Sequence, residues 1–467
     1  MSAVTRDIPP PAQLRSGSLS LVETIGQSVA NISPTLTPAL NIAVVAGLAG
    51  TGTWLSYLIS TIGLLFVAVN IGSLAKRHPL AGSYFVYIGR TLGPLAGMVA
   101  GWSIIAAYLF TAIAVTVSSE IFLGDMLTSF GLKAVVPPGW LFDLVFCAIV
   151  GVAAYSDVRL SSRMGLIMEG FSVLLIVIIT GVVIAKNGSI VDHVQFSAES
   201  LKPGPVMSAL TFSVFCFVGF ESAATLAKEA RDPTRTVPLA ITMSAGIVGL
   251  FFVALSYFML LGMGDDAKAL GASTSPFTDL TARAGLPWAA GIVYFAALIS
   301  SSACALATIN AASRMMFSMG RYQFLPRSMG MVHAKHQTPH FAVITSTVFT
   351  LVVSLLLLRF DPLDAFGYTG TFATFGFLVI YLLICVVSPI DARRAGKLTP
   401  TGVIVGITGV ALMGFAIFGS LYPVPPYPYN LLPYLFGAYL LIGIVWFAIL
   451  RARAPQALAG IQHDLEG

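Results

Sequence analysis

Apolar residues recur along this chain in long runs, separated by short polar or Pro- and Gly-rich stretches. About twelve runs reach roughly 18 residues, close to what a helix needs to cross some 30 Å of hydrocarbon. They predict helical spans over about 19–48, 54–74, 91–122, 139–156, 163–185, 204–227, 236–263, 287–319, 340–358, 365–389, 400–421 and 431–450. Two of the runs are interrupted near their middle. The first contains Asn31-Ile-Ser33-Pro34-Thr35-Leu36-Thr37-Pro38, and the sixth contains Phe217-Val218-Gly219-Phe220-Glu221. A helix in lipid satisfies its own backbone, so a break at that depth is tolerated only where it lines a cavity inside protein.

Composition agrees with the pattern. Hydrophobic residues are 57% of the 467 and charged residues 10%, which excludes an ordinary soluble protein. The first run is too long for a cleaved signal peptide and has no small-residue cleavage site after a short apolar core. Cys147, Cys216, Cys304 and Cys385 all fall within spans, as buried thiols without disulfide or metal spacing. The net charge of +5 reads as topology. With both termini in the cytoplasm, only Lys133, Lys186, Lys202, Lys268, Arg283 and Arg359 of the 25 Lys and Arg fall outside.

Residues 19-185 and 204-389 overlay as two sets of five spans, each opening with an interrupted run. Each also has a long third member, 91–122 and 287–319, and five being odd, the two sets are inverted. Residues 400-450 form two further spans joined by a Tyr- and Pro-rich external loop from Pro423 to Pro433. Residues 1-18, with Pro9-Pro10-Pro11, and 451-467 are expected to be short cytoplasmic tails. The expected fold is an all-α integral membrane protein of twelve spans with a 5+5 inverted repeat and broken helices 1 and 6. Paired breaks in inverted repeats point to the substrate site of a secondary transporter.

The breaks suggest what is bound. Ser33 suits an N-cap and Pro34 a first helical position, leaving the N–H groups of Thr35 and Leu36 free at the positive end of a half-helix. That end, with the hydroxyls of Thr35 and Thr37, suits a carboxylate. In the sixth run Gly219 permits unwinding and exposes the carbonyls of Cys216, Phe217 and Val218, which suit an ammonium group. An α-amino acid satisfies both, in a setting that also holds Phe215, Phe217 and Phe220. The other reading of the first break is a proline kink repaired by neighbouring helices.

Acids in a span cost about 2.5–3.5 kcal/mol on insertion scales, so each calls for a reason. Glu221 either accepts hydrogen bonds from the unwound backbone or carries a coupling proton. Glu169 either pairs with Arg163 or serves a proton or cation path. Glu23 and Glu120 lie near span ends, where water reaches. Ser301 and Ser302, in the cluster that begins at Ser300, offer hydroxyls either for interhelical bonding or for Na⁺. His333, His336 and His340 lie in a cytoplasmic loop without a metal framework and read as solvated. Gly82 to Gly93 suits a helix lying at the membrane interface. Gly93, Gly97 and Gly101 suit close helix packing. No phosphate loop, HExxH or nucleophile elbow is present, so no enzyme, cofactor, metal or nucleic-acid partner is expected. Asn187-Gly-Ser189 matches a glycosylation sequon too short to decide a compartment.

Four stretches carry a family resemblance. They are His78-Pro79-Leu-Ala-Gly82-Ser83-Tyr84-Phe-Val-Tyr87 with Gly101-Trp102, then Val218-Gly219-Phe220-Glu221-Ser222. Lys228-Glu229-Ala-Arg231-Asp232-Pro233 with Thr236-Val-Pro238, and Ser313-Arg314 through Arg321 to Leu325-Pro326, follow. By their order and spacing the chain resembles the amino acid permeases of the amino acid–polyamine–organocation (APC) superfamily. The resemblance implies a LeuT-like fold and alternating access in a cytoplasmic membrane. It places the substrate carboxylate near Thr35 and Leu36, and the amine near Ile32 and the carbonyls around Phe217. It also makes Phe215 an aromatic gate and puts Tyr108 near the pocket. Two departures stand out. Relatives carry a Gly-Ser-Gly-like turn where this chain has Ser33-Pro34-Thr35-Leu36, so Pro34 withdraws one donor. Many also have a span-five Lys in place of a sodium ion, at about Ser172 here. The coupling ion, H⁺ or Na⁺, therefore turns on Glu169. A polyamine or monoamine carrier using Glu221 or Glu169 is the alternative, and a receptor or channel is a further class.

Overall fold

Ser20 starts the first helix. Its hydroxyl accepts from the Glu23 N–H at 3.5 Å, while the Glu23 carboxylate accepts the Ser20 N–H at 2.7 Å. This reciprocal capping satisfies two donors that a helix start leaves orphaned. The structure is a computed structural model describing residues 17–78, 83–156, 158–187, 190–198, 200–422, 424–425 and 427–453. Pro9-Pro10-Pro11, Pro79 to Gly82 of the first motif, the last two sequon residues and the tail from residue 454 lie outside the described residues.

Helix α1 (Leu21–Ile32) ends at Ser33, and a π-helical turn over Thr37–Asn41 leads into α2 (Ile42–Ala49). The chain reverses at Gly50, whose φ of +62° favours glycine. There follow α3 (Thr53–Arg77), α4 (Ser83–Leu92), α5 (Pro94–Ser129), α6 (Gly139–Ser156) and α7 (Val158–Asn187). The second half opens with two short helices, α8 (Pro203–Ser208) and α9 (Leu210–Phe215), then a 3₁₀ turn over Ser222–Leu226. It continues through α10 (Pro233–Gly262), α11 (Ala267–Ala272), α12 (Pro276–Arg283), α13 (Ala289–Arg321), α14 (His340–Leu357) and α15 (Pro362–Arg394). Last come α16 (Pro400–Leu421) and α17 (Leu432–Arg453). An isolated parallel bridge joins Leu19 to Ala230.

Ten helical stretches among the described residues are long and apolar enough to cross a membrane, against an expectation of twelve. The difference lies at the interrupted runs. Leu21–Arg77 is one stretch of 57 residues covering two expected spans, and 204–227 contains no helix of 18 residues. Apolar side chains such as Ile149, Val152, Leu250, Ile407 and Leu441 remain exposed on these helices, as on a lipid-facing surface.

Helix α5 packs along α13 and α15, α13 along α7, α3 along α10, and α6 along α14. The expected close packing is present at Gly97 and Gly101 but not at Gly93, which has nothing within 4 Å of where a Cβ would stand. A Cβ at Gly97 would stand 2.9 Å from the Gly89 Cα, and one at Gly101 would stand 2.6 Å from the Met319 sulfur. Two expectations are corrected. Helix α4 does not lie at a surface: Tyr84, Phe85, Val86, Tyr87 and Ile88 are all buried, because α5 and α15 pack over it. A long third member is no marker of the repeat either, since α15 has 33 residues, as many as α13.

Candidate functional site

The first break is a left-handed turn. Ser33 takes φ 54° and ψ 71° and its N–H bonds back to the carbonyls of Val29 and Ala30. It therefore caps the end of α1, and the expectation that it would N-cap the next half-helix is corrected. A non-glycine residue held there stores about 1–3 kcal/mol, the kind of strain that collects at functional sites. The Leu36 N–H, expected free, donates to the Ser33 carbonyl at 3.1 Å. This closes a tight turn over Ser33–Leu36 with Pro34 at its second position, where the fixed φ of proline fits.

The second break is a run of such tight turns. Phe217 donates to Val214, Val218 to Phe215 and Phe220 to Phe217, at 3.0, 3.1 and 3.2 Å. The Phe217 carbonyl is thus occupied, contrary to expectation, while those of Cys216 and Val218 receive no hydrogen bond among the described residues. Gly219 has φ +106°, and a Cβ there would stand 2.7 Å from the Asn31 carbonyl oxygen. Only glycine lets the two breaks touch.

A cavity lies between them. The first break contributes Asn31, Ile32, Ser33, Leu36, Thr37 and Asn41, and the second Phe215, Cys216 and Val218. Thr111, Ala114 and Val115 come from α5, Cys304 from α13 and Phe366 from α15. Its free volume is only about 30 Å³, room for a water or two. The rings of Phe215 and Phe366 meet at 6.3 Å across one side. The Asn31 Nδ2 and the Thr37 hydroxyl are buried without a hydrogen-bond partner. Leaving a buried donor unmet costs about 1–3 kcal/mol.

Several expected residues stand elsewhere. Thr35 is buried with an unpartnered hydroxyl but does not line the cavity. Phe217 packs edge-on against Phe252, and Phe220 against Tyr381. Tyr108 shares a face of α5 with Thr111 and Val115, yet its hydroxyl donates to Glu221 Oε1 at 2.8 Å. Glu221 also accepts the Tyr381 hydroxyl at 2.6 Å and the Gly219 N–H at 3.1 Å, and its carbonyl accepts Tyr84. Glu221 is a fastener of the second break.

Glu169 does not pair with Arg163, which meets Glu23 at 2.5 Å, and Glu23 is buried rather than solvated. Glu169 instead accepts the Ser300 hydroxyl at 2.7 and 2.9 Å. Ser300 in turn lies 2.8 Å from the Ser33 hydroxyl. Ser301 accepts from Ser119 and so ties α13 to α5, whereas Ser302 donates to the Leu298 carbonyl of its own helix, as Ser301 also does. The three histidines are packed rather than free, with the rings of His333 and His336 each 5.4 Å from Tyr155.

Sequence reading missed Asn31, Asn41, Thr111, Cys304 and Phe366, and it favoured Ser301 and Ser302 over Ser300. A signal existed for Asn31, a polar residue at mid-span beside the break. Its Oδ1 accepts from Thr308, and its backbone carbonyl accepts the Cys304 thiol at 3.2 Å. Both partners lie on α13, some 270 residues away.

Comparison with known proteins agrees with this architecture. The Amino acid permease family profile matches residues 25–453. The chain is 26% identical over 369 residues to the low-affinity putrescine importer PlaP of Escherichia coli K12, covering 76% of this chain and 79% of that one. It is 27% identical over 375 residues to the branched-chain amino acid permease BcaP of Bacillus subtilis, covering 77% and 79%. It is 26% identical over 396 residues to the glutamate/serine transporter AimA of Bacillus subtilis, covering 80% and 71%. The chain belongs to the amino acid permease family of the APC superfamily, and it is a multi-pass membrane transporter of amino acids or amines, not an enzyme.

Proposed function

We propose that the chain is a secondary active transporter of a zwitterionic α-amino acid with a small apolar side chain. One observation carries this reading. The cavity joins unmet donors of the first break, Asn31 Nδ2 and the Thr37 hydroxyl, to unmet carbonyls of the second, Cys216 and Val218. Donors suit a carboxylate and carbonyls an ammonium group, with Thr35 and the half-helix start adding positive potential. Ile32, Leu36, Ala114, Val115, Phe215 and Phe366 complete an apolar wall for the side chain.

The reading includes twelve spans in a LeuT-like 5+5 inverted repeat, set in the inner membrane with both termini cytoplasmic. The helix contacts support it. Exchanging the halves turns the α5–α15 contact into α13–α7, and returns α3–α10 and α6–α14 to themselves. Residues 19-185 and 204-389 are then the two repeats. The near-closed cavity suits an occluded state, with access alternating as one bundle rocks against the other and Phe215 with Phe366 closing one side. Glu169, joined to the cavity through Ser300 and Ser33, is the coupling group, for H⁺ or Na⁺.

A diamine is the second reading, favoured by the similarity to a putrescine importer. It needs an anion at the cavity, yet no carboxylate is among the described lining residues, and Glu221 is held by two tyrosines and a backbone N–H. Uptake into proteoliposomes decides between them. Competition by leucine or alanine, and none by putrescine, is the expected result. Competition by putrescine alone would replace the amino acid reading with the diamine one.

A further inference from the structure

A second cavity, of about 280 Å³, lies away from the substrate site and is lined by Val183, Lys186, Gly262, Arg283 and Ala284. Lys186 and Arg283 close the last turns of α7 and α12. Both belong to the six cations that fall on the less basic side of the membrane, where the chain otherwise keeps positive charge low. The folded chain nevertheless brings them to one hollow. The Lys186 ammonium reaches to 3.8 Å from where a Gly285 Cβ would stand, two residues beyond Arg283. Arg283 is held by a 2.6 Å bond from Nη1 to the Met263 carbonyl, which leaves the rest of its fork available. Neither side chain forms an ion pair among the described residues. Two cations converging without a carboxylate make a place for an anion.

The surroundings identify which anion. Val177, Ile178 and Val182 are exposed on α7 within about three turns of Lys186, and Ile247 and Leu250 are exposed on α10. Trp288, five residues past Arg283, is also exposed, and tryptophan collects at headgroup depth. We propose that this cavity binds the phosphate of a phospholipid headgroup. The guanidinium takes two phosphate oxygens, the ammonium supplies a second positive charge, and the acyl chains lie along the α7 surface.

Native mass spectrometry of the detergent-solubilised protein titrated with phosphatidylglycerol tests this. The wild type is expected to retain one lipid that excess inorganic phosphate does not displace. The double variant Lys186→Gln/Arg283→Gln should lose at least about tenfold in lipid affinity, and Lys186→Arg should keep it. Unfolding temperature without lipid checks that the double variant is folded. Equal lipid retention by the folded double variant overturns the proposal. So does displacement by inorganic phosphate alone, which would make the cavity a free-anion site.

Discussion

Gly219 and Asn31 touch backbone to backbone: a methyl group added to Gly219 would lie 2.7 Å from the Asn31 carbonyl oxygen and 2.8 Å from its carbon. Neither atom belongs to a flexible side chain, so no rotamer change relieves the contact. The φ of +106° adds strain for any L side chain. Gly219→Ala should therefore reduce uptake to a few per cent or less, since about 2–3 kcal/mol of combined strain and displacement is enough. Uptake normalised to the amount of protein in the membrane checks it. Wild-type uptake would show that the two breaks move independently.

On the proposed reading, Asn31 supplies the donor that separates an amino acid from an amine. Asn31→Asp keeps an oxygen for Thr308 and replaces the unmet NH₂ with a second oxygen. A hydrogen bond to a charged group is worth about 1.5–3 kcal/mol, so the half-saturating concentration for a neutral amino acid should rise about 10- to 100-fold. Binding of putrescine should appear in the same variant. Unchanged amino acid affinity would remove Asn31 from the site.

Glu169 and Glu221 are expected to behave differently. Glu169 is one hydroxyl removed from the Ser33 turn, whereas Glu221 fastens the second break. Glu169→Gln should flatten the pH dependence of uptake while leaving the protein folded. Glu221→Gln should chiefly lower thermal stability. An uptake profile in Glu169→Gln that overlays the wild type would end the coupling role.

Outside the spans, Asp265 is pushed up to about 6, first by burial and then by its neighbour Asp192. Gln195 holds Asp265 at 3.4 Å while its own N–H and that of Val194 bind Asp192. A carboxyl whose folded value is raised favours the folded state when protonated, and that contribution is lost as pH rises through the folded value. The melting temperature should therefore fall more steeply between about pH 4 and pH 6 in the wild type than in Asp265→Asn. Parallel curves would show that the pair does not couple to folding.

The all-helical membrane character and the places where helices end, at Ser33 and Phe215, were legible in the sequence. Hydrocarbon imposes one rule, that backbone groups be met internally, and Pro34 and Gly219 break it visibly. The span count was not, since ten membrane-length stretches stand where twelve spans were expected. Orientation within the breaks was less so. The role of Ser33 depended on a left-handed turn that its residue type does not announce. The choice of Ser300 over its neighbours is a matter of helical phase, about 100° per residue, settled only once α13 is seated against α1 and α7. Phe366 and the Glu23–Arg163 pair come from distant segments that only tertiary packing brings together. The burial of α4 was misread because a short aromatic and basic helix looks alike whether it rests on the membrane or beneath other helices.

Calorimetry on the purified protein tests the two-ended grip most directly, comparing leucine with leucinamide, which lacks the carboxylate, and with isocaproate, which lacks the amine. Leucine should bind, and removal of either end should weaken it by at least about tenfold, or 1.4 kcal/mol. Leucinamide binding as tightly as leucine would contradict the account, because the donors beside Ser33 would then have no carboxylate to meet.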